Sequence, residues 1–166
     1  CAFRVGAEVV RATVSVLMAD VRRWVVASPA LVARFPAVNT PEDLQPFPWI
    51  AINSFYQRHV ELFHDASSAT ARIDITPRLS TDSLYVARKT ALTGLGVAVV
   101  SSWTVHDDIR EGRLVHVLPE WQPAALPVHL VYPWSRYYPA RLRRFLELMR
   151  QVMPEVTGMR KPVQQP

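Results

Sequence analysis

The polar side chains best suited to bind a ligand follow the predicted strands of this chain. In open α/β sheets, ligands bind beyond the carboxyl ends of the strands, where helix N-termini present amide donors. The loop 53–56 combines two hydrogen-bonding residues with two aromatic ones, which suits a small, partly apolar anion. The alternative is that all of these are ordinary loop and helix-cap residues. The positions are Ser28, the loop Asn53, Ser54, Phe55 and Tyr56, the helix start at Asp82, and Ser101.

Two histidines, His59 and His64, lie close to Glu61 and Asp65 in the sequence and offer metal-ligand chemistry. With this spacing they do not share one helix face, and on a strand they point to opposite sides. Surface or packing histidines are therefore favoured over a zinc site. No metal and no cofactor is predicted.

The chain offers little for phosphate-loop or nucleophilic chemistry. Gly94 and Gly96 follow a helix and precede a strand, whereas a dinucleotide loop follows a strand and opens a helix. A left-handed helix stop explains Gly94 better. Ser28 before a proline resembles a helix cap more than a nucleophile, and Cys1 has no predicted base partner. We expect no catalytic residues and no enzymatic activity.

The composition and charge of the chain limit the classes of protein to which it can belong. The 166 residues carry a formal net charge of +5 and one cysteine, so an intrachain disulfide is excluded. No apolar run approaches the roughly 20 residues that span a membrane. Arginines cluster around an amphipathic segment at 139–153, which favours a solvated basic helix face over direct DNA contact.

Hydrophobic patterning predicts an α/β fold with a mainly parallel sheet, because strands alternate with helices along the chain. The predicted helix at 82–93 starts at a cap from Thr81 or Asp82 and stops at Gly94. The predicted strands are 2–5, 9–18, 23–27, 49–53, 59–64, 72–76, 97–100, 114–118 and 128–132, with a last helix at 139–153.

Several motifs occur together in an order that is known from one family. They are AFRVG at 2–6, RRWVVASPALVAR at 22–34, TPEDL at 40–44, ALTGLGVAVV at 91–100, GRLVHVLP at 112–119, LPVHLVYP at 126–133 and PARLRRFLELM at 139–149. Together they resemble the effector-binding domain of LysR-type transcriptional regulators. Ser101 departs from the pattern, since the family usually has a proline there.

The resemblance implies a periplasmic-binding-protein-like (type II) fold with two α/β lobes. Residues 21–132 would form a complete subdomain II, and residues 1–20 and 133–157 would form part of subdomain I. The tail 158–166 is expected to be disordered. By the same resemblance the chain is N-terminally truncated, lacking a winged helix-turn-helix.

The function implied is that of an effector sensor, binding a small metabolite between two lobes to control transcription in a cytoplasmic homo-oligomer. DNA would be contacted only through the missing N-terminal domain, with no membrane partner. The resemblance adds Arg4 and Val5 to the effector site, opposite the 53–56 loop. The rival interpretations are a transporter's solute-binding receptor and an enzyme on a similar two-lobed fold.

Overall fold

The computed structural model describes residues 2–5, 13–53 and 58–162. The strands are β1 (Ala2–Val5), β2 (Thr13–Val21), β3 (Arg23–Ala27), β4 (Trp49–Ile52), β5 (His59–His64), β6 (Thr70–Asp74), β7 (Pro77–Thr81), β8 (Val97–Ser101), β9 (Val115–His116), β10 (Trp121–Gln122), β11 (Leu126–Pro133) and β12 (Met159–Arg160). The helices are α1 (Pro29–Val32), α2 (Leu84–Leu92), α3 (Ser102–Arg110) and α4 (Ala140–Val152), with short 3-10 turns at Pro41–Leu44 and Met153–Glu155.

The chain divides into two compact units, with boundaries at residues 22/23 and 124/125. The first unit holds a four-stranded sheet in the order β1-β11-β2-β12, in which every pairing is antiparallel. Helix α4 packs on this sheet through Leu142, Phe145, Leu146 and Met149. Its arginines at 141, 143, 144 and 150 are exposed, which confirms the predicted amphipathic helix with a solvated basic face.

The second unit, residues 23–124, is built around a five-stranded sheet in the order β7-β4-β8-β3-β9. Strand β4 runs parallel to both of its neighbours, β7 and β8. Strand β3 runs antiparallel to β8 and β9. The prediction of a mainly parallel sheet is therefore wrong in detail, because β3 runs antiparallel to both of its neighbours and the sheet is mixed.

Both faces of this sheet are covered. On one face, Val97 and Val99 of β8 pack in a core with Val60 and Leu62 of β5, which belongs to the three-stranded sheet β10-β5-β6. On the other face, residues 98 and 100 of β8 pack against α2 and α3. The alternation follows from the period of two along a strand. All five residues of β8 are consequently buried.

Two predicted boundaries differ from the structure. Residues 126–132 were predicted to belong to subdomain II, but β11 lies in the sheet of the first unit because it hydrogen bonds along its length to β1 and β2. Within the tail predicted to be disordered, Met159 and Arg160 form β12 and pair with β2. Strand β7 was missed, since Pro77 and Arg78 gave no strand pattern.

His116 lies on the edge strand β9, where its ring stacks on Trp24 at a centroid distance of 4.9 Å. Its Nε2 atom is buried without a hydrogen-bond partner among the described residues. Burial disfavours the imidazolium and lowers the pKa of His116 to about 4, against a weaker opposing effect of Asp65. The folded state therefore holds this ring neutral at physiological pH.

We expect the free energy of unfolding to fall on the order of 1–3 kcal/mol as the pH drops from 6.5 towards 4. In that window the unfolded chain binds a proton at His116 while the folded chain does not, so the stability present above pH 6.5 is lost. Urea unfolding at a series of pH values measures this. His116→Gln should flatten this part of the profile, and His106→Gln, at an exposed residue of α3, should not. If the free energy of unfolding depended on pH in the same way in the wild type and in both variants, His116 would not be the group responsible.

Candidate functional site

The carboxyl ends of three strands lie at the same end of the five-stranded sheet. The backbone N–H of Asn53, just after β4, donates to the carbonyl of Thr81, the last residue of β7, at 3.1 Å. Ile50 of β4 pairs with Ala98 of β8, so Asn53 and Ser101, each three residues further on, are level in register. We call this end of the sheet, marked by Asn53, Asp82 and Ser101, the carboxyl end.

Two helices start at the carboxyl end. The hydroxyl of Ser83 accepts from the Val86 N–H at 3.4 Å and caps α2, while Thr81 Oγ1 accepts from the N–H of Ser83 at 3.1 Å. The cap is thus Ser83, not Thr81 or Asp82 as predicted, because Thr81 still belongs to β7. Helix α3 starts directly after β8, with Ser101 at its N-cap position. The first turns of α2 and α3 therefore present amide donors, and the positive ends of their dipoles, to this end.

Ser28, predicted to join the same site, lies at the opposite end of the sheet. Strand β3 runs antiparallel to β8, with Arg23 beside Ser101 and Val26 beside Ala98. The last residues of β3 are therefore level with the first residues of β8, at the end of the sheet opposite to the carboxyl end. The predicted helix-cap role of Ser28 is confirmed, since its Oγ accepts from the Leu31 N–H at 3.2 Å.

The other predicted site residues lie elsewhere. Arg4 and Val5 are in β1 of the first unit, beside His129 and Val128 of β11. Ser54, Phe55 and Tyr56 fall outside the described residues, so their part in a site stays a prediction.

His64 fits the prediction of a surface or packing histidine. Its Nδ1 accepts from the Ser67 N–H at 3.1 Å and orders a turn. Across the described part of the chain, no cluster of three or more histidine, cysteine or acidic residues is arranged to hold a metal ion.

A charged cluster that sequence reasoning missed connects α2 with α3. The carboxylate of Asp108, completely buried, accepts from Nε and Nη2 of Arg88, the latter at 2.9 Å, and from Nε and Nη2 of Arg113 at 3.0 and 2.7 Å. Burial by itself raises the pKa of Asp108, but the hydrogen bonds from both guanidinium groups outweigh it and hold the pKa below its usual value. The carboxylate therefore stays ionised.

One sequence signal for this cluster existed. Asp108 lies three residues after Val105 and next to Ile109, on the stripe of α3 that packs in the core. An acidic residue on an apolar helix face requires a cationic partner. Arg88 is remote in sequence, so only the packing of α2 against α3 supplies the partner.

No helix among the described residues has the length and apolar character to cross a membrane.

The arrangement of sheets and helices matches that of known proteins. The regulatory domain of CrgA from Neisseria meningitidis superposes with a TM-score of 0.68 at 26% identity, over 90% of this chain and 73% of that one. The regulatory domain of AphB from Vibrio vulnificus superposes with a TM-score of 0.69 at 23% identity, over 89% of this chain and 72% of that one. These likenesses show the periplasmic-binding-protein-like two-lobed α/β fold.

Sequence comparison gives the family. Residues 1–154 match the LysR substrate binding domain, and the chain belongs to that family. It is 31% identical to the HTH-type transcriptional regulator PtxR of Pseudomonas aeruginosa, over 81% of this chain and 43% of PtxR. It is 28% identical to an HTH-type transcriptional repressor of another strain of that species, over 93% of this chain and 49% of the repressor. The chain thus spans about half the length of the curated relatives it matches.

Replacing Asp108 tests how far the charged cluster stabilises the second unit. We expect Asp108→Asn to lower the free energy of unfolding by about 2–4 kcal/mol, because it removes the fully buried carboxylate that pairs with both guanidinium groups and leaves the mostly buried Arg88 without its counter-charge. Asp107→Asn is the matched control: Asp107 pairs with Arg110 on the exposed face of α3, and an exposed pair contributes under about 1 kcal/mol. Urea unfolding measures both variants. An equal loss of unfolding free energy in the two would show that the buried Asp108 pairs stabilise the fold no more than an exposed pair does.

Proposed function

We propose that this chain is the effector-sensing part of a DNA-binding transcriptional regulator. Its family and its relatives support this, since the matched proteins bear the names of HTH-type regulators. The same relatives favour a regulator over a solute-binding receptor or an enzyme. A regulator acts where the DNA is, so we propose a cytoplasmic location.

The carboxyl end of the five-stranded sheet is the proposed effector site. The observation that carries this proposal is that β4, β7 and β8 end there together, and that α2 and α3 begin there. Helix N-termini favour anions, and the side chain of Asn53 is suited to hydrogen bond an acid group. A small organic anion is therefore the proposed effector.

The effector would act by binding one conformation of the regulator more tightly than another. This difference in affinity shifts the equilibrium between the two conformations. The shift changes how an oligomer contacts its operator. We propose that the regulator is a homo-oligomer and that its base-contacting residues lie in a winged helix-turn-helix that precedes this chain.

Mutation of the proposed site is the first test. In the full-length regulator, a panel of small organic acids is screened by thermal shift, and the acid that stabilises the protein is titrated. Asn53→Ala should weaken its binding roughly tenfold, the effect of removing one buried hydrogen-bond donor at about 1.4 kcal/mol. Thr70→Ala, at an exposed residue of β6, should have no effect. Unchanged affinity in Asn53→Ala would remove this residue from the site.

The reading frame upstream of Cys1 provides the second test. We expect it to encode a winged helix-turn-helix. We expect the full-length protein to bind a DNA duplex from its own promoter in a sequence-dependent manner that persists at physiological salt. Gel-shift titration against a scrambled duplex measures this. An upstream region that encodes an export signal joined directly to Cys1 would instead support the solute-receptor interpretation.

A further inference from the structure

A cleft of about 620 Å³ lies within the second unit, beside Ser28 and away from the carboxyl end. Its volume falls in the range typical of small-molecule sites, roughly 300–1,000 Å³. Its wall is formed by residues 28–30 at the start of α1, by the second half of α2 with Thr93, and by Asp108 with the turn after α3. The residues relevant to binding are Ser28, Arg88, Lys89, Leu92, Thr93 and Arg113.

The two arginines of the cleft are held in place by the buried carboxylate of Asp108. Arg88 uses its Nε and Nη2 atoms for this contact, and its Nη1 group has no acceptor among the described residues. Arg113 uses the same pair of atoms, while its Nη1 contacts Glu111, whose side chain is 45% exposed. Guanidinium groups fixed in this way lose little conformational entropy when they bind an acid group.

The charge of the cleft favours anions. Arg88, Lys89 and Arg113 contribute three positive charges, while Asp108 and Glu111 contribute two negative ones, which leaves a net charge of +1. The Asp108 carboxylate is buried and already accepts four hydrogen bonds, so it offers nothing to a cation. Lys89 is exposed and lies within 4.0 Å of no carboxylate among the described residues.

The remaining wall determines what kind of anion fits. Pro29, Ala30 and Leu92 give the cleft an apolar side, which favours a ligand with a carbon skeleton over a bare inorganic ion. Lys89 supplies the unbalanced positive charge, and Arg88 adds guanidinium donors, so two acid groups on one molecule can each meet a cationic side chain. Guanidinium groups bind carboxylate and phosphate oxygens with the same paired geometry.

We propose that this cleft is a second ligand site, distinct from the carboxyl end, and that it binds a small organic polyanion with two or more carboxylate or phosphate groups. A purely structural role accounts for the contacts among Arg88, Asp108 and Arg113. It does not account for Lys89, which is exposed and lines the same cavity as the two arginines.

Isothermal titration of the 166-residue chain with citrate and with pyrophosphate tests the proposal, at an ionic strength fixed with sodium chloride. Lys89→Gln should raise the Kd of the polyanion that binds about tenfold, since it removes a cation without disturbing the Asp108 contacts. Thr93→Glu, which places a carboxylate at an exposed position of the wall, should raise the Kd at least as much. Arg78→Gln makes the same change in net charge on β7, outside the cleft, and should alter the Kd less than twofold. Thermal melting of each variant verifies that it is folded.

The outcomes separate the alternatives. Binding of citrate alone assigns the cleft to carboxylates, and binding of pyrophosphate alone assigns it to phosphates. No heat with either compound at millimolar concentration would overturn the proposal. It would also be overturned if Arg78→Gln weakened binding as much as Lys89→Gln, which would indicate diffuse attraction, or if only Asn53→Ala weakened it, which would move the polyanion to the carboxyl end.

Discussion

The burial of β8 on both faces determines how the second unit is organised. Alternate residues of this strand enter two different cores, one shared with β5 and β6 and one shared with α2 and α3. The residues facing the helices are small or β-branched, and Ala98 together with Ala87 and Ala91 of α2 lets the helix approach the sheet closely. Immediately before β8, a Cβ built on Gly96 would lie 2.7 Å from the Pro48 carbonyl oxygen, so the strand begins where only glycine fits.

Strand directions around β8 separate two chemically different ends of the sheet. At the carboxyl end, the parallel partner β4 brings Asn53 level with Ser101, and two helix starts supply amide donors. At the other end, the antiparallel partner β3 brings Ser28 close to Gly94, where a built Cβ would lie 3.1 Å from the serine hydroxyl. The cationic groups of α2 and of the turn after α3 border the cleft beside Ser28. The carboxyl end thus offers the amide donors of two helix starts, and the other end offers the cationic side chains that line the cleft.

Asp108 links these two regions. It lies on α3, which begins at the carboxyl end, and it holds Arg88 and Arg113 at the wall of the cleft. A buried ion pair contributes less to stability than its Coulomb attraction suggests, because both charges must be desolvated. The stronger effect of the Asp108 carboxylate is on side-chain orientation. Its four hydrogen bonds fix two guanidinium groups that would otherwise sample many rotamers.

Family, element order and most helix and strand positions were readable from the sequence. Short motifs predict local structure. SPA at 28–30 gives a serine cap before a proline, and GLG at 94–96 gives the left-handed helix stop found at Gly94, with φ +77°. The amphipathic pattern of α4 identified its buried face for the same reason, because helical periodicity needs no knowledge of what covers it. Of the residues predicted to bind an effector, Asn53, Asp82 and Ser101 lie at the same end of the sheet, and their role in binding stays a prediction.

The sequence by itself therefore determined the family and most of the local elements, together with the Ser28 cap and the Gly94 helix stop. These local features depend on neighbours within a few residues. Tertiary structure alone decided the direction of β3, and with it the removal of Ser28 from the carboxyl end. It also placed β11 in the first unit and brought Arg88 to Asp108 across 20 residues of sequence. The physical reason is common to all three cases. Strand pairing and ion pairing are non-local contacts, and the hydrophobic pattern of one strand or helix is the same whichever partner it meets.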